Sequence, residues 1–301
     1  MIQGGSGGVE EMHSDQEERK LTVLSAADRE FWDENGYVVV GDAVPRENLD
    51  ALIDEIWFFL GMDRNDPGDW HREPHRIGGM VEMYQSPGLW NNRQQPRVYD
   101  AFAEIWGRRD LWVSMDRANM KPPLRADKPD WDHRGMIHWD LKTSASRPTG
   151  LKVQGVLYLT DTAEDQGTFQ CVPGFHRHFE EWVKTQPKDR NPRRPDLDGL
   201  NVRKIPGRAG DLLIWHSLLP HGNSRNTSDR PRLAQYISMW PAADDNEELR
   251  QRRIRMWRER LSPDGGAFPG DDRQVERRCG TTAVLTELGK KLLGLERWGS
   301  S

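Results

Sequence analysis

The chain has 301 residues, enough to bury one large core, and 43 basic residues nearly offset 48 acidic ones to leave a net charge of −5. That balance argues against nucleic acid or an anionic membrane as the main partner, and two cysteines, Cys171 and Cys279, supply neither a disulfide framework nor a thiolate metal cluster. Thirteen tryptophans in so polar a chain must line a core or wall a ligand pocket.

Residues 1–20 are Gly-rich and then acidic, too poor in apolar side chains to pack, and are expected to be a disordered leader. A single domain is expected over 21–301. Its β core should span about 111–240, with helical additions at 25–107 and 243–295. Ser25 is placed to cap a short helix through Phe31 and Trp32 that Asn35-Gly36 breaks. Tyr37-Val38-Val39-Val40 reads as a strand. Leu49, Leu52, Ile53, Ile56, Trp57 and Leu60 carry helical spacing up to Gly61. Residues 62–95, with Pro67, Pro74 and Pro87, read as irregular and as a candidate lid.

A helix from Val98 to Gly107 and a strand Leu111–Met115 follow, then Met120-Lys121-Pro122-Pro123. Strands are expected at 135–141, 151–160, 167–172, 201–205, 211–217 and 232–240, with a Pro/Arg-rich loop at 186–198. Strands parted by turn residues, with no helical pattern between them, argue for an antiparallel barrel or sandwich. After Pro241 the chain turns helical: an arginine-dense helix over 246–261, read as a solvated face, and another over 282–293 after a Pro/Gly loop. No stretch approaches membrane-spanning length and no apolar signal core opens the chain, so a soluble cytoplasmic protein is expected.

His138-Trp139-Asp140 is the most informative short pattern. Side chains two apart on an extended segment point the same way, so His138 and Asp140 can share one ion while Trp139 points elsewhere. His221 is the third candidate ligand. Two imidazoles and one carboxylate on one face, with the remaining positions open, suit a mononuclear oxygen-activating iron(II). A 2-oxoglutarate co-substrate would chelate that iron through its keto acid end and present a distal carboxylate to a buried cation. Arginine, whose planar fork pairs bidentately with carboxylates, fits the need, and Arg232 opens the last long strand after the turn that follows His221. That turn is expected to lay Arg232 on the strand beside His221.

These residues, with Phe31–Val40, Lys121-Pro122-Pro123, Asp165–His176, Gly210–His216 and His221-Gly222-Asn223, occur in the order that resembles the phytanoyl-CoA dioxygenase family of iron(II)/2-oxoglutarate oxygenases. The resemblance covers most of 25–240. It implies a double-stranded β-helix (jelly-roll, cupin-like) core in a mainly β, α+β chain. It also implies iron(II), 2-oxoglutarate and O2 as cofactor and co-substrates, a triad of His138, Asp140 and His221, and Arg232 at the distal carboxylate. Two departures stand out: Trp139 replaces a frequent Gln, and Asn223 stands where Ser is frequent, with Ser224 one later. In related halogenases the carboxylate is replaced by Gly or Ala, so Asp140 favours hydroxylation or another C–H oxidation.

Arg117 and Asn119 alternate just before Lys121-Pro122-Pro123, where the family binds co-substrate, and are candidate co-substrate contacts. Gln154 is either an inward pocket donor or part of an outer polar face. His216 is a weaker alternative ligand, His176 and His178 are read as structural or at the rim, and His71, His75 and His133 as surface loop residues. The substrate is expected to be a small molecule, a secondary metabolite or amino-acid-like compound. Monomer and homodimer both stay open. A zinc hydrolase using the same three ligands and a non-catalytic jelly-roll binding module are the alternatives.

Overall fold

The computed structural model describes residues 23–76, 78–143 and 151–299, so the expected leader at 1–20 lies outside the described residues. Ser25 opens α1 (Ala26–Asn35) with a capping box: its hydroxyl accepts from Asp28 N (3.1 Å) while the Asp28 carboxylate accepts from Ser25 N (2.9 Å). Gly36, at φ 74°, ends the helix and hands the chain to β1 (Tyr37–Val40). The apolar stripe read from the sequence then builds α2 (Arg46–Leu60), which buries Leu49, Leu52, Ile53, Ile56, Trp57 and Leu60.

Residues 62–95 are more ordered than their prolines suggest. They hold β2 (Met80–Val81) and α3 (Pro87–Arg93), with Ser86 as N-cap and Pro87 in the first turn. Arg93 is fully buried and donates to the carbonyls of Tyr84 (2.8 Å) and Asp116 (2.5 Å). The second half of the expected lid is therefore core.

Next come α4 (Pro96–Trp106), β3 (Leu111–Val113), β4 (Ala118–Lys121), β5 (Val153–Tyr158) and β6 (Phe169–Cys171). Then α5 (Phe175–Thr185) interrupts the strands, contrary to the expectation of an uninterrupted β run. Its signal is Phe175, Phe179, Trp182 and Val183 at helical spacing, hidden among charged residues. Last are β7 (Arg203–Ile205), β8 (Leu212–His216), β9 (His221–Asn223), β10 (Arg232–Tyr236), β11 (Met239–Pro241), α6 (Glu247–Glu259), α7 (Val275–Cys279) and α8 (Glu287–Leu293).

Two antiparallel sheets face each other. The larger has the order β1-β8-β5-β10-β4-β2 and the smaller β7-β6-β9, while β11 pairs with β3 alone. The β core thus recruits β1 and β2 from outside 111–240. The large sheet is buried on both faces, and its side-chain period of two sorts the residues. Leu212, Ile214, Leu157, Leu233 and Ile237 pack with the helices in one cluster. Val156, Tyr158, Leu213, Trp215 and Ala234 face the small sheet's Phe169 and Cys171 in the other. Among the described residues no helix is long and apolar enough to cross a membrane.

The arginine-rich α6 is not wholly solvated. Arg253 is buried and donates to Val113 O (2.8 Å), Leu293 O (2.9 Å) and Leu292 O (3.1 Å), tying α6 to β3 and to the end of α8. Its guanidinium lies over Trp112 and Trp240, 4.8 and 5.5 Å from the ring centres. Replacing it strands three carbonyls, so Arg253→Ala should lower stability by about 3 kcal/mol in urea unfolding. Arg255→Ala, which loses only an exposed pair with Glu259, should stay within about 0.5 kcal/mol of wild type. Equal losses in the two variants would contradict this account.

Candidate metal centre

The segment carrying His138 and Asp140 is not the regular strand expected at 135–141. It meets β9 through a single antiparallel bridge, His138 N to His221 O (2.8 Å) and His221 N to His138 O (3.0 Å). That bridge sets the two imidazoles side by side, ring centres 5.0 Å apart. Gly222 makes the approach possible, because a Cβ there would run into the Met136 carbonyl oxygen.

One ligand atom each from His138, Asp140 and His221 lies within 4.8 Å of the others, so the three can hold one metal ion. His138 Nε2 is 3.3 Å from Asp140 Oδ1, and His221 Nε2 is 3.4 Å from Asp140 Oδ2. The second ring nitrogen of His221 faces Leu219 O at 2.9 Å. A carbonyl can only accept, so Nδ1 carries the proton and Nε2 offers its lone pair to a metal. Phe169 stacks on this ring (6.1 Å, 17° between planes) and Trp215 packs 5.0 Å away, which fixes its orientation. Burial alone would raise the Asp140 carboxyl. The contacts with His138 and His221 and the hydrogen bond from Gln154 outweigh it and hold the group ionised, well below the usual range.

Gln154 is an inward donor, on the face of β5 shared with Val156 and Tyr158. Its Nε2 reaches Asp140 Oδ2 at 2.5 Å. Trp139 points away, as expected for the middle residue of the motif. It is fully buried against Phe175, Phe179 and Trp182, and its Nε1 donates to Leu218 O (2.8 Å). It takes no place at the metal, so the contact that Gln often supplies there is missing from this chain.

Arg232 is not beside His221. β10 lies between β4 and β5 in the large sheet, while β9 belongs to the small one, so the turn carries the chain across the sandwich. The guanidinium is fully buried on the inner face. One nitrogen donates to Asn119 Oδ1 (3.1 Å), while Nε and the other terminal nitrogen have no partner among the described residues. Lys121, directly opposite Arg232 in register, is buried too. Its ammonium reaches Ser224 O and, at 3.0 Å, His133 Nδ1. Burial first, then the charge of Arg232, pushes it down to about 7. Ser224 Oγ is also buried, with no partner among the described residues. Two adjacent buried cations with open N–H groups fit an anion such as the distal carboxylate of 2-oxoglutarate. The sequence marked Lys121 only as part of a motif.

A cavity of about 520 Å³ opens at the triad, with Gln154, Asn223 and Tyr236 in its wall. Asn223 Nδ2 donates to the Tyr236 hydroxyl (3.1 Å). Arg117 also lines it, but its guanidinium is engaged by Glu82 (2.7 Å) and Ala267 O and lies over Phe268. Asn119 is spent on Arg232 and on Gly78 O (3.2 Å).

None of the other described histidines joins the triad as a ligand. His216 packs against Trp32 and His176 and accepts from Leu218 N, so it is not brought to the triad. His176 sits under Gly36 beside Asp33 O (3.2 Å), and His178 is exposed. His71 and His75, expected at the surface, are both buried against Trp131. His133 lines the cavity.

The sequence model of the phytanoyl-CoA dioxygenase family matches residues 32–234, a span that contains His138, Asp140, His221, Gln154, Lys121 and Arg232. The chain belongs to that family. It is thereby an enzyme of the iron- and 2-oxoglutarate-dependent dioxygenase class, with a jelly-roll core, and the zinc-hydrolase and non-catalytic alternatives give way.

A phytanoyl-CoA dioxygenase-type protein of Dictyostelium discoideum is 26% identical over 272 residues, covering 74% of this chain and 78% of the relative. The ectoine dioxygenase of Bordetella bronchiseptica is 27% identical over 234 residues, covering 70% and 73%. Among solved structures, a hypothetical protein of Escherichia coli has a TM-score of 0.69 at 17% identity, over 90% of this chain and 82% of that one. The epimerase SnoN, crystallised with Fe3+, alpha-ketoglutarate and nogalamycin RO, has a TM-score of 0.52 at 18% identity, over 72% and 83%. At these identities the structural likeness speaks for the fold alone.

Gly222→Ala should fold and yet bind metal poorly, because the added methyl forces the Met136–Asp140 segment off β9. Calorimetric titration with Fe(II) under anaerobic conditions should show affinity down by about 10–100-fold. Wild-type affinity in this variant would remove the bridge from the account.

Proposed function

We propose that this enzyme uses iron(II), 2-oxoglutarate and O2 to oxidise a C–H bond of a small molecule, releasing succinate and CO2. The observation that carries this reading is Arg232. A fully buried guanidinium with two nitrogens unpaired among the described residues, on the inner face of the large sheet across the sandwich from β9, calls for an anion that neither a hydrolase nor a scaffold would supply. It suits a dicarboxylate co-substrate.

In this reading His138, Asp140 and His221 would hold iron(II), whose ligation two imidazoles and one carboxylate suit. Bound iron(II) with 2-oxoglutarate supplies the oxygen-activating chemistry, the keto acid being oxidised to succinate as CO2 leaves. The protein's own part is positioning. Leu219 O fixes the tautomer of His221. Gln154 holds Asp140 Oδ2 and turns the carboxylate toward the imidazoles. Asp140 fills the position that halogenases vacate, which favours hydroxylation or another oxidative outcome. Arg232, braced by Asn119 and reinforced by the charge of Lys121, takes the distal carboxylate. Asn223 and Tyr236 present an amide and a hydroxyl at the cavity wall. Arg117 supports that wall rather than the co-substrate itself. Cys171 and Cys279 are both free thiols, which agrees with a cytoplasmic setting.

Arg232→Met keeps most of the side chain's bulk and removes its charge. On the anaerobic Fe(II)-loaded protein, calorimetry should show 2-oxoglutarate binding weakened by about a hundredfold, with Fe(II) affinity unchanged. Co-substrate affinity left intact by this change would refute the assignment.

A further inference from the structure

A second cavity of about 780 Å³ adjoins the first, and the two share Asp116, Asp140, Gln154, Ser238 and Phe268 in their linings. Its other walls come from α4, the stretch just after β3, β5, β11 and α6 and are largely apolar, including Trp106, Met115, Val153, Trp240 and Met256. Trp240, 37% exposed on the short β11, presents its ring to this space.

Most polar groups around this space are already engaged. Arg253 gives its N–H groups to three carbonyls, Gln154 holds Asp140, and Lys152 is exposed to solvent. Asp116 differs from them. Its Oδ1 accepts from Arg117 N (2.8 Å) and lies 3.7 Å from Arg117 Nε, while Oδ2 receives no hydrogen bond from a described residue. Its carboxylate stands where the two cavities meet, on the same walls as Asp140. Burial raises its pKa, as expected for a carboxylate with an incomplete set of donors.

We propose that the substrate is a bulky, largely apolar molecule whose body fills this second cavity and whose hydroxyl or amino group donates to Asp116. The apolar walls provide the affinity, and the carboxylate fixes which end of the molecule meets the triad. A compact amino-acid-like zwitterion would leave most of the apolar wall in water, and an anionic group would be repelled by Asp116 beside Asp140. This rests on the oxygenase reading, because the cavity matters to the reaction only through the metal it adjoins.

Nile red, a neutral apolar fluorophore, tests it on the Fe(II)- and 2-oxoglutarate-loaded protein under anaerobic conditions. The dye should bind saturably. Leu151→Trp and Met256→Trp, which fill the cavity from two separate elements, should each weaken it at least about fivefold while 2-oxoglutarate calorimetry stays unchanged. That calorimetry also shows that each variant is folded. Decylamine and decanol should displace the dye at concentrations at least about tenfold below decanoate, and Asp116→Asn should erase that preference. Dye binding that is absent, or equal in wild type and both filled variants, overturns the cavity assignment and leaves the oxygenase reading standing. Decanoate competing as well as decylamine overturns the role of Asp116. Failure to bind iron or 2-oxoglutarate overturns the oxygenase reading itself, and the substrate class falls with it.

Discussion

Two main-chain hydrogen bonds between His138 and His221 are the constraint on which the site depends. Among the described residues they are the only ladder contact of a segment that otherwise belongs to no sheet, yet that segment carries two of the three candidate ligands. The rest of the fold makes so short a bridge sufficient. On one side Trp139 is clamped in an aromatic cluster and its backbone N–H donates to Arg193 O (2.9 Å). On the other, Gly222 lets the Met136 backbone lie close against β9. The geometry of an irregular segment is thus borrowed from a strand, a buried indole and a missing side chain.

The interior of the sandwich is divided between stability and chemistry. Its deep end is apolar, with Phe169, Leu213, Val156 and Trp215 packed between the sheets. Its other positions carry Arg232 and Lys121, buried charges that no described carboxylate neutralises directly. Such groups cost folding free energy in the empty protein and recover it when an anion binds. A site that is under-neutralised by design is expected to bind its co-substrate tightly and to gain stability from it.

Much of this was legible in the sequence, for reasons that differ by residue. The capping box at Ser25, the stripe of α2 and the glycine stops are local and follow from spacing alone. His138, Asp140 and His221 were singled out because metal ligation restricts residue type, and Arg232 because the proposed distal carboxylate would demand a cation. What spacing could not supply was the third dimension. Arg232 was placed on the neighbouring strand, but it crosses to the opposite sheet, since chain distance does not tell a hairpin from a crossover. His71 and His75 were taken for surface residues because Trp131, which covers them, is remote in sequence. Helix α5 was missed because four apolar residues carry its only signal, and Arg253 was read as solvated because its partners are backbone carbonyls from β3 and α8. Lys121 and Asp116 were overlooked for a similar reason: their significance lies in the partners they lack.

The most direct measurement is the visible spectrum of the protein under anaerobic conditions with Fe(II) and 2-oxoglutarate added separately and together. The account predicts a weak charge-transfer band only when both are present, absent after Asp140→Ala. A wild-type protein that binds metal and co-substrate by calorimetry but shows no band would contradict chelation of the keto acid at His138, Asp140 and His221.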